Sequence, residues 1–355
     1  MRYITSVNIP AVNAQSAQIN ANSLAFSSTF DEFELVSPRN NKNDNLKKEF
    51  NWNKVNVWFK SGRLKYLEFC LKALWLCNDN KVVYTRDILI AFLFLYFRKG
   101  TVVYEAHQRP SRVAMLCIRL LRNHEDFKVV TISYALKNFY IGYFGIDERK
   151  VLVAHDGINV DIYNKMEKIN LHKKFSIDKN YKILLHTGSL YPGRGAELFG
   201  PILNKYPDLV ILHIGGSQEI IDDWKRKISS DRFNAHSHVP SNELVSCQIS
   251  ADYLLYPMLR STKTYWCCSP MKMFEYMATN VPIISTDIGS IKEVLNDENS
   301  FTFDPDDVDT LWNAIDLALG STEICKERST QALIDVKSCY TWQLRADRIR
   351  RFVLK

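Results

Sequence analysis

Short apolar runs, typical of buried strands, alternate along this chain with longer stretches in which apolar residues recur at helical spacing. In the first half the short runs predict strands at Tyr3–Ile9, Phe33–Val36, Lys81–Tyr84, Thr101–Tyr104, Lys128–Thr131 and Val151–Val153. In the second half they predict strands at Ile183–His186, Val210–His213, Phe233–His236, Tyr253–Tyr256 and Pro282–Ser285. Such alternation is typical of parallel sheets with helices packed on both faces.

The stretches with helical spacing lie between these strands. In the first half they predict helices at Ser16–Phe30, Arg63–Cys77, Asp87–Phe97, Arg109–Leu121 and Ser133–Phe144. In the second half they predict helices at Ala196–Lys205, Ile220–Ser229, Asn242–Ser250, Pro270–Thr279, Ile291–Leu295, Val308–Leu319, Glu323–Lys337 and Trp342–Val353. The polar stretch Pro38–Lys54 is expected to be a surface loop.

The strand and helix rhythm breaks near Asn159–Lys174 and starts again at Lys182. We therefore predict two doubly wound, Rossmann-like domains, the first formed by residues 1–165 and completed by 339–355, the second by 166–338. The carboxyl ends of parallel strands carry ligand-binding turns, so we expect the two domains to face each other across a cleft. This layout fits a transferase with two substrates, and it also fits a protein that closes on one ligand.

Composition narrows the class of protein. The chain has 355 residues, 46% hydrophobic and 24% charged, and a formal net charge of +7, which suits anionic small molecules or an acidic membrane surface. Nucleic acid is not expected as a partner, because basic clusters interleaved with aromatics are missing from the sequence. The eight cysteines form no CxxC pair and are predicted to be reduced. No signal peptide is evident, and the most apolar run, Ile88–Phe97, is too short to cross a bilayer, so we expect a cytoplasmic protein, at most peripheral on the membrane.

The stretch Ser269–Leu295 carries the strongest candidate chemistry. It reads as a polar turn, a short helix, a buried strand and a second turn. Ser269 is expected to cap the helix and Pro270 to occupy its first position. The free amides at a helix start, together with Lys272, suit a diphosphate, and Glu275 one turn later could accept hydrogen bonds from ribose hydroxyls.

A second candidate turn follows the predicted strand Ile183–His186. Its glycines, among them Gly188, permit close approach of the backbone to a ligand, and Ser189 lies beside them. Arg194 in the same turn could clamp a diphosphate with two parallel hydrogen bonds. The alternative interpretation, an ordinary turn with a surface arginine, stays open.

Further candidates lie at the ends of other predicted strands. Gly215 and Gly216 form a tight turn that is expected to lie near the ligand, and Val239 could present main-chain groups to a nucleobase. In the first half, Glu105 and His107 follow a strand, and His107 could donate to a sugar hydroxyl or support a leaving phosphate. A satisfied internal hydrogen bond is the alternative for this pair. The spacing of His, Cys, Asp and Glu does not match a metal site, so no essential metal is expected.

Together these segments resemble the GT-B fold glycosyltransferases, specifically the retaining family 4. The resemblance covers most of the chain and is weakest near residues 10–80. It rests on five segments: VYTRD with VVYEAH, VLVAHDGINVDIY, HTGSLYPGRG, SPMKMFEYMATNVPIISTDIGSIKEVL and YTWQLRADRIRRF. It implies two Rossmann-like domains facing across a cleft, and a C-terminal helix that crosses back to the first domain.

The resemblance also implies roles for individual residues. Arg194 takes the position of the diphosphate-binding lysine of the family, and Glu275 that of the second glutamate of the E-x7-E signature, which holds the nucleotide ribose. His107 matches a first-domain histidine near the transferred sugar. The catalytic residues are predicted to be His107, Arg194, Lys272 and Glu275. The donor-binding residues are predicted to be Gly188, Ser189, Arg194, Gly215, Gly216, Val239, Ser269, Pro270, Met271, Lys272, Met273 and Glu275.

Two positions depart from the pattern of the family. The usual arginine of the phosphate loop is Ser189 here, and the first glutamate of the signature falls on Cys267. That glutamate usually faces the donor sugar, so recognition of the sugar hydroxyls must be looser or must come from elsewhere. We hypothesise that Lys272 supplies the charge that Ser189 cannot.

The activity implied by the resemblance is transfer of a sugar, with retention, from a UDP- or GDP-linked donor to a hydroxyl of a glycan or lipid-linked acceptor. The setting would be assembly of a surface polysaccharide or glycoconjugate, with the nucleotide sugar as co-substrate and no further cofactor. Two alternatives stay open: a catalytically degraded nucleotide-sugar-binding or scaffold protein, and a GT-B isomerase such as a nucleotide-sugar epimerase. The basic helices near Arg63–Lys72 and Arg345–Arg351 are expected either to contact anionic lipid or to be solvated faces.

Overall fold

The computed structural model describes residues 1–10, 14–40, 49–77 and 82–354 of the chain. These residues divide into two compact units. The first unit comprises residues 1–156 together with 342–355, and the second comprises 157–341. Compared with the boundaries expected from the sequence, segments 157–165 and 339–341 belong to the second unit.

The first unit is built on a seven-stranded parallel sheet with the order β3-β2-β1-β4-β5-β6-β7. Its strands are β1 (Arg2–Ile4), β2 (Glu34–Pro38), β3 (Asn51–Val55), β4 (Val83–Thr85), β5 (Val102–Ala106), β6 (Phe127–Thr131) and β7 (Val151–Val153). Its first five helices are α1 (Ala14–Thr29), α2 (Gly62–Leu76), α3 (Ile88–Phe97), α4 (Arg112–Leu121) and α5 (Tyr134–Phe144), with a 3-10 turn at Glu148–Lys150.

The second unit has a six-stranded parallel sheet with the order β10-β9-β8-β11-β12-β13. Its strands are β8 (Lys182–Thr187), β9 (Leu209–Ile214), β10 (Phe233–His236), β11 (Tyr253–Tyr256), β12 (Ile283–Thr286) and β13 (Phe301–Phe303). Its helices are α6 (Val160–Asn164), α7 (Leu171–Phe175), α8 (Phe199–Lys205), α9 (Gln218–Ile228), α10 (Ser241–Ser250), α11 (Met271–Met277), α12 (Val308–Gly320) and α13 (Thr322–Cys339), with 3-10 turns at Ala196–Leu198 and Ile291–Glu293. The strand order reverses between β8 and β11, which is the switch point where doubly wound sheets bind ligands.

Apolar side chains cover both faces of the second sheet. Successive residues of β8 point to opposite faces, so Leu185 joins one core cluster and Leu184 the other. Phe274 packs in the first of these clusters and Phe199 in the second. Strands buried on both faces read as continuous apolar runs, which is why the sequence predicts them well.

The last helix, α14 (Trp342–Val353), belongs to the first unit and packs against α1. The sequence predicts a basic helix here that contacts lipid or solvent, but Arg345 is only 2% exposed and turns inward to an ion pair. The prediction that Arg345 belongs to a basic surface is therefore wrong. Arg350 and Arg351, in contrast, are exposed.

The predicted fold class, α/β with two Rossmann-like units, is confirmed. The expected loop at Pro38–Lys54 is wrong at both ends, where β2 and β3 lie, and residues 41–48 fall outside the described part of the chain. The expected helix at Ile291–Leu295 is only a 3-10 turn, and the expected Ala196–Lys205 helix begins with one. Within the described residues no helix is long and apolar enough to cross a membrane. None of the eight cysteines, all of which lie in the described ranges, forms a disulfide.

Candidate functional site

Two glycine turns meet at the switch point of the second sheet. Gly188 follows β8 and Gly215 follows β9, and the Gly188 amide donates to the carbonyl oxygen of Ile214 at 2.9 Å. Gly215 has a φ of +134°, and a Cβ at this position would lie 2.3 Å from the Gly188 carbonyl oxygen. Only glycine fits such an approach, so the turns form a close-packed floor at the strand ends.

Helix α11 brings Lys272 to the same floor. The helix begins at Met271, and Pro270 precedes it with extended backbone, so the expected Ser269 cap and the expected helical Pro270 are wrong. The physical reason is the ψ of 128° at Pro270, which places it outside the helix. A helix of seven residues carries little dipole, so charge at this site must come mainly from side chains.

The Lys272 ammonium lies at the turn that follows β8. Its Nζ donates to the Thr187 carbonyl oxygen at 2.8 Å and lies 3.1 Å from His186 Nε2. It also lies over the rings of Tyr256 and Tyr276, 5.0 and 5.9 Å from their centroids. Burial, followed by the positive charge of Arg194, lowers the pKa of Lys272 to about 7. The ammonium is therefore poised to gain from an incoming anion.

The turn that carries Arg194 is braced from within. The Glu197 carboxylate accepts from the amides of Gly193 at 2.9 Å and Gly195 at 3.2 Å, and Thr262 Oγ1 donates to the Gly193 carbonyl oxygen at 2.8 Å. These amides are thus already bonded within the protein. Across the described ranges the Arg194 guanidinium has no hydrogen-bond or ion-pair partner, and it is partly exposed. It is free to bind an anion.

Glu275 lies one helical turn after Lys272. Its Oε2 accepts from Gln248 Nε2 at 3.5 Å, and the buried Gln248 accepts from the Tyr163 hydroxyl at 3.3 Å. Burial raises the pKa of Glu275, while the bond from Gln248 and the charge of Lys272 act in the opposite direction. The carboxylate is held from one side and is partly exposed on the other, as a group that binds hydroxyls needs to be.

The remaining donor-side candidates differ in how far they are exposed. Ser189 is partly exposed, Gly216 has open space beside its α-carbon, and Val239 is half-buried against the core. Met273 is fully buried in the core, so its side chain cannot face a ligand. Cys267 is 1% exposed, and burial raises the pKa of its thiol to about 12, so it supplies no charge in place of the glutamate of the family.

His107 lies in the first unit, beside a cavity of about 360 Å³. Its Nε2 donates to Glu105 Oε1 at 2.7 Å, and the same oxygen accepts from Arg345 Nη2 at 2.7 Å. Burial opposes ionisation of Glu105, but Arg345 and then His107 outweigh it and lower the pKa of Glu105 well below its usual range. The cavity lining further includes Arg86 and Arg109. His107 is therefore both satisfied internally and open to a ligand.

Two histidines that support this site are not predicted by the sequence pattern. His186 and His213 face each other across β8 and β9 with their Nδ1 atoms 2.9 Å apart, and both are fully buried. Each histidine lies two residues before a glycine, in the sequences HTG and HIGG. This spacing is the one signal in the sequence that could have indicated them. In the described part of the chain no group of three or more His, Cys, Asp and Glu could hold a metal ion. The expectation that no metal is essential stays a prediction.

Comparison with known proteins agrees with this geometry. Residues 181–321 match the family model of the glycosyl transferases group 1. The chain is 24% identical over 240 residues to an uncharacterised glycosyltransferase, MJ1607, of Methanocaldococcus jannaschii, a match that covers 64% of this chain and 60% of that relative.

Solved structures are similar over nearly the whole chain. Alr3699/HepE of Anabaena, crystallised with UDP, is 14% identical with a TM-score of 0.78, and the match covers 99% of this chain and 98% of that one. Sucrose-phosphate synthase of Thermosynechococcus elongatus is 14% identical with a TM-score of 0.79, and the match covers 99% and 97%. The predicted resemblance to the GT-B glycosyltransferases is confirmed.

Proposed function

We propose that this chain, which carries a group 1 glycosyltransferase domain in a GT-B fold, moves a sugar from a nucleoside diphosphate sugar to an acceptor hydroxyl with retention of configuration. One observation carries the proposal: the partly buried Lys272 ammonium lies at the glycine turn after β8, close enough to Arg194 to feel its charge, and the Arg194 guanidinium has no partner among the described residues. Burial and the charge of Arg194 both lower the pKa of Lys272, so a diphosphate bound beside these two cations would stabilise the ammonium form. The HepE structures with UDP and with UDP-glucose support a uridine donor, and a GDP-linked donor is the alternative.

Each group has a part in donor binding. Lys272 and Arg194 bind the diphosphate and stabilise the charge that grows on it as the sugar leaves, which is the largest expected catalytic contribution. Glu275, braced by Gln248, accepts from the ribose hydroxyls. Gly188 lets the phosphates approach the backbone at the end of β8.

The leaving phosphate itself takes the proton of the acceptor on the same face of the sugar, as the resemblance implies, so no strong side-chain base is needed. Because Cys267 is a neutral, buried thiol, the donor sugar lacks the carboxylate partner usual in the family. We expect a donor preference broader than a carboxylate at this position would give.

The first unit supplies the acceptor side. His107, fixed by Glu105, offers its Nδ1 to a hydroxyl in a cavity that also holds Arg86 and Arg109. Two arginines beside a polar cavity suit an acceptor that carries a phosphate, such as a lipid-linked glycan in assembly of a surface polysaccharide or glycoconjugate.

A surface of the first unit suits a membrane that bears such an acceptor. Leu64, Leu67, Leu71 and Trp75, here called the α2 stripe, follow one another at helical spacing and are 46 to 75% exposed. A second stripe on α4, formed by Val113, Leu116 and Leu120, is 60 to 74% exposed, and α3 packs between the two helices. Apolar stripes of this kind rarely stay in water on a soluble protein without a partner.

The charges around these stripes favour an anionic bilayer. Arg63 flanks the α2 stripe and Arg112 and Arg119 flank the α4 stripe, and all three are exposed. Lys72 lies 4.5 Å above the ring of Trp58, which is 85% exposed. Apolar side chains that enter the interface and basic side chains that bind anionic head groups act together, at about 1 kcal/mol per basic residue.

The assay for transfer measures release of UDP or GDP from a panel of nucleotide sugars, with and without lipid-linked acceptors. We expect release with at least one donor, and loss of most of it in Lys272→Ala. Lys292→Ala, an exposed lysine of the same unit, is the matched control and should behave as the wild type. Tight nucleotide binding without release from any donor would instead establish the degraded binding protein, which the departures at Ser189 and Cys267 favour. Product formed without acceptor would indicate an isomerase.

The assay for membrane contact is co-sedimentation with vesicles of anionic and of neutral lipid. We expect binding to anionic vesicles that weakens in high salt and is lost in the double variant Leu67→Ser/Leu71→Ser. Ile334→Ser changes an equally exposed aliphatic residue of the second unit and should leave binding unchanged. Equal loss in both variants, or no binding to any vesicle, would contradict this part of the proposal.

A further inference from the structure

Two buried histidines connect the turn after β8 to the turn after β9. His186 and His213 are partners in the parallel register, their rings are stacked at 23°, and their Nδ1 atoms lie 2.9 Å apart. His186 Nε2 lies 3.1 Å from Lys272 Nζ, and His213 Nε2 lies 2.9 Å from the Gly215 carbonyl oxygen. The four groups therefore form one continuous chain of hydrogen bonds.

The chemistry of the last acceptor fixes the direction of this chain. A carbonyl oxygen can only accept, so His213 carries a proton on Nε2 and donates it to Gly215. Burial lowers the pKa of His213 to about 4 and that of His186 well below its usual range, so both rings are neutral. His213 therefore accepts at Nδ1, His186 donates from its Nδ1, and His186 Nε2 is left as an acceptor that faces Lys272.

We propose that His186 and His213 are positioning residues that aim Lys272 at the donor diphosphate, a role that rests on the proposed function. An ammonium has three N–H groups. One donates to the Thr187 carbonyl oxygen and one to His186 Nε2. The third has no acceptor in the described part of the protein, and its direction is set by the other two.

The tautomer of His186 is the decisive element. With its proton on Nε2, the ring would direct an N–H at the ammonium, which would be repelled and would lose an acceptor. His213 prevents this, because its unprotonated Nδ1 holds the proton of His186 on the opposite nitrogen. Gly215 in turn fixes His213, so the glycine turn after β9 acts on the lysine through two rings.

Two substitutions of similar size separate this role from simple packing. His186→Gln keeps an acceptor oxygen close to the position of Nε2, whereas His186→Asn reaches only the position of Nδ1 and leaves Lys272 without that acceptor. We expect the affinity for UDP, measured by calorimetry, to fall about tenfold in His186→Asn and by less than about threefold in His186→Gln, because bonds to charged groups are the stronger ones. An equal fall in both variants would overturn the proposal.

Nitrogen-15 NMR of histidine-labelled protein tests the relay without any ligand. We expect the proton of His186 on Nδ1 and that of His213 on Nε2, with neither ring titrating above about pH 6. A proton on Nε2 of His186 would overturn the proposal whatever the protein binds. An unchanged affinity for UDP in Lys272→Ala would contradict the proposed function instead, and the NMR result would still decide whether the relay exists.

Discussion

Raising the pH should weaken binding of UDP through one side chain. In the free protein, burial and Arg194 lower the pKa of Lys272 to about 7. A bound diphosphate favours the ammonium and raises that pKa, so binding takes up a proton when the pH lies between the two values. The affinity is therefore highest below pH 7 and falls as the pH rises through the pKa of the free protein.

The size of the loss in affinity follows from the difference between the pH and the pKa of Lys272 in the free protein. At about pH 8.5 protonating Lys272 costs about 2 kcal/mol, or about 30-fold in affinity, since one pKa unit corresponds to about 1.4 kcal/mol. The phosphate of UDP is already ionised in this range, because its second pKa is about 6. His186 and His213 are neutral, and burial raises the pKa of Tyr256 and Tyr276, so none of these four titrates there.

Titration calorimetry in two buffers of different ionisation enthalpy measures both quantities. Near pH 8 we expect uptake of about 0.9 proton per UDP bound, given a free-protein pKa about one unit lower. The control is Lys272→Met, which keeps the length of the side chain without a charge and should bind weakly with no proton uptake. A wild-type affinity that is constant between pH 7 and 9, or release of protons on binding, would refute the reasoning.

Two further predictions concern the buried ion pair and the glycine floor. Arg345→Ala removes the guanidinium that pairs with the buried Glu105 carboxylate and leaves Oε1 of that carboxylate with its bond from His107, so we expect a loss of about 3–5 kcal/mol in the free energy of unfolding. The exposed Arg351→Ala should cost less than about 0.5 kcal/mol, and equal denaturation midpoints of the two variants in urea would contradict this prediction. Gly215→Ala places a Cβ 2.3 Å from a backbone carbonyl oxygen, so we expect it to abolish UDP binding. Gly216→Ala, at a φ of +81° with open space around it, should cost about 1–2 kcal/mol of backbone strain and retain UDP binding. Equal affinities of the two variants for UDP would contradict the close contact of the turns.

Burial on both faces explains which strands could be predicted from the sequence. Strand β11, which lies between β8 and β12, begins and ends where the apolar run Tyr253–Tyr256 indicates, because a central parallel strand is covered on both faces. Strand β3 is not predicted from the sequence, because it is an edge strand with the sequence NWNKV and only Val55 in it is buried. An edge strand has no neighbour on one side and can be polar, so its composition is that of a loop.

The sequence predicts those parts of the candidate site that lie in turns directly after predicted strands. It does not predict contacts that depend on which residues of neighbouring strands are paired. Lys272, Arg194 and Gly188 could be brought together from the sequence, because parallel strands end at one edge of their sheet. His186 and His213 are 27 residues apart and meet only through the register of β8 and β9. The burial of Arg345 could not be predicted for a related reason, because its partner Glu105 lies 240 residues away in the sequence. The sequence of a basic helix does not show which of its charged side chains points inward.

The most direct test of the account is a crystal structure of the chain soaked with UDP. We expect the β-phosphate within hydrogen-bond distance of Lys272 Nζ and Arg194, with the ribose hydroxyls on Glu275. A nucleotide bound away from the β8 and β11 switch point, with these three side chains untouched, would contradict it.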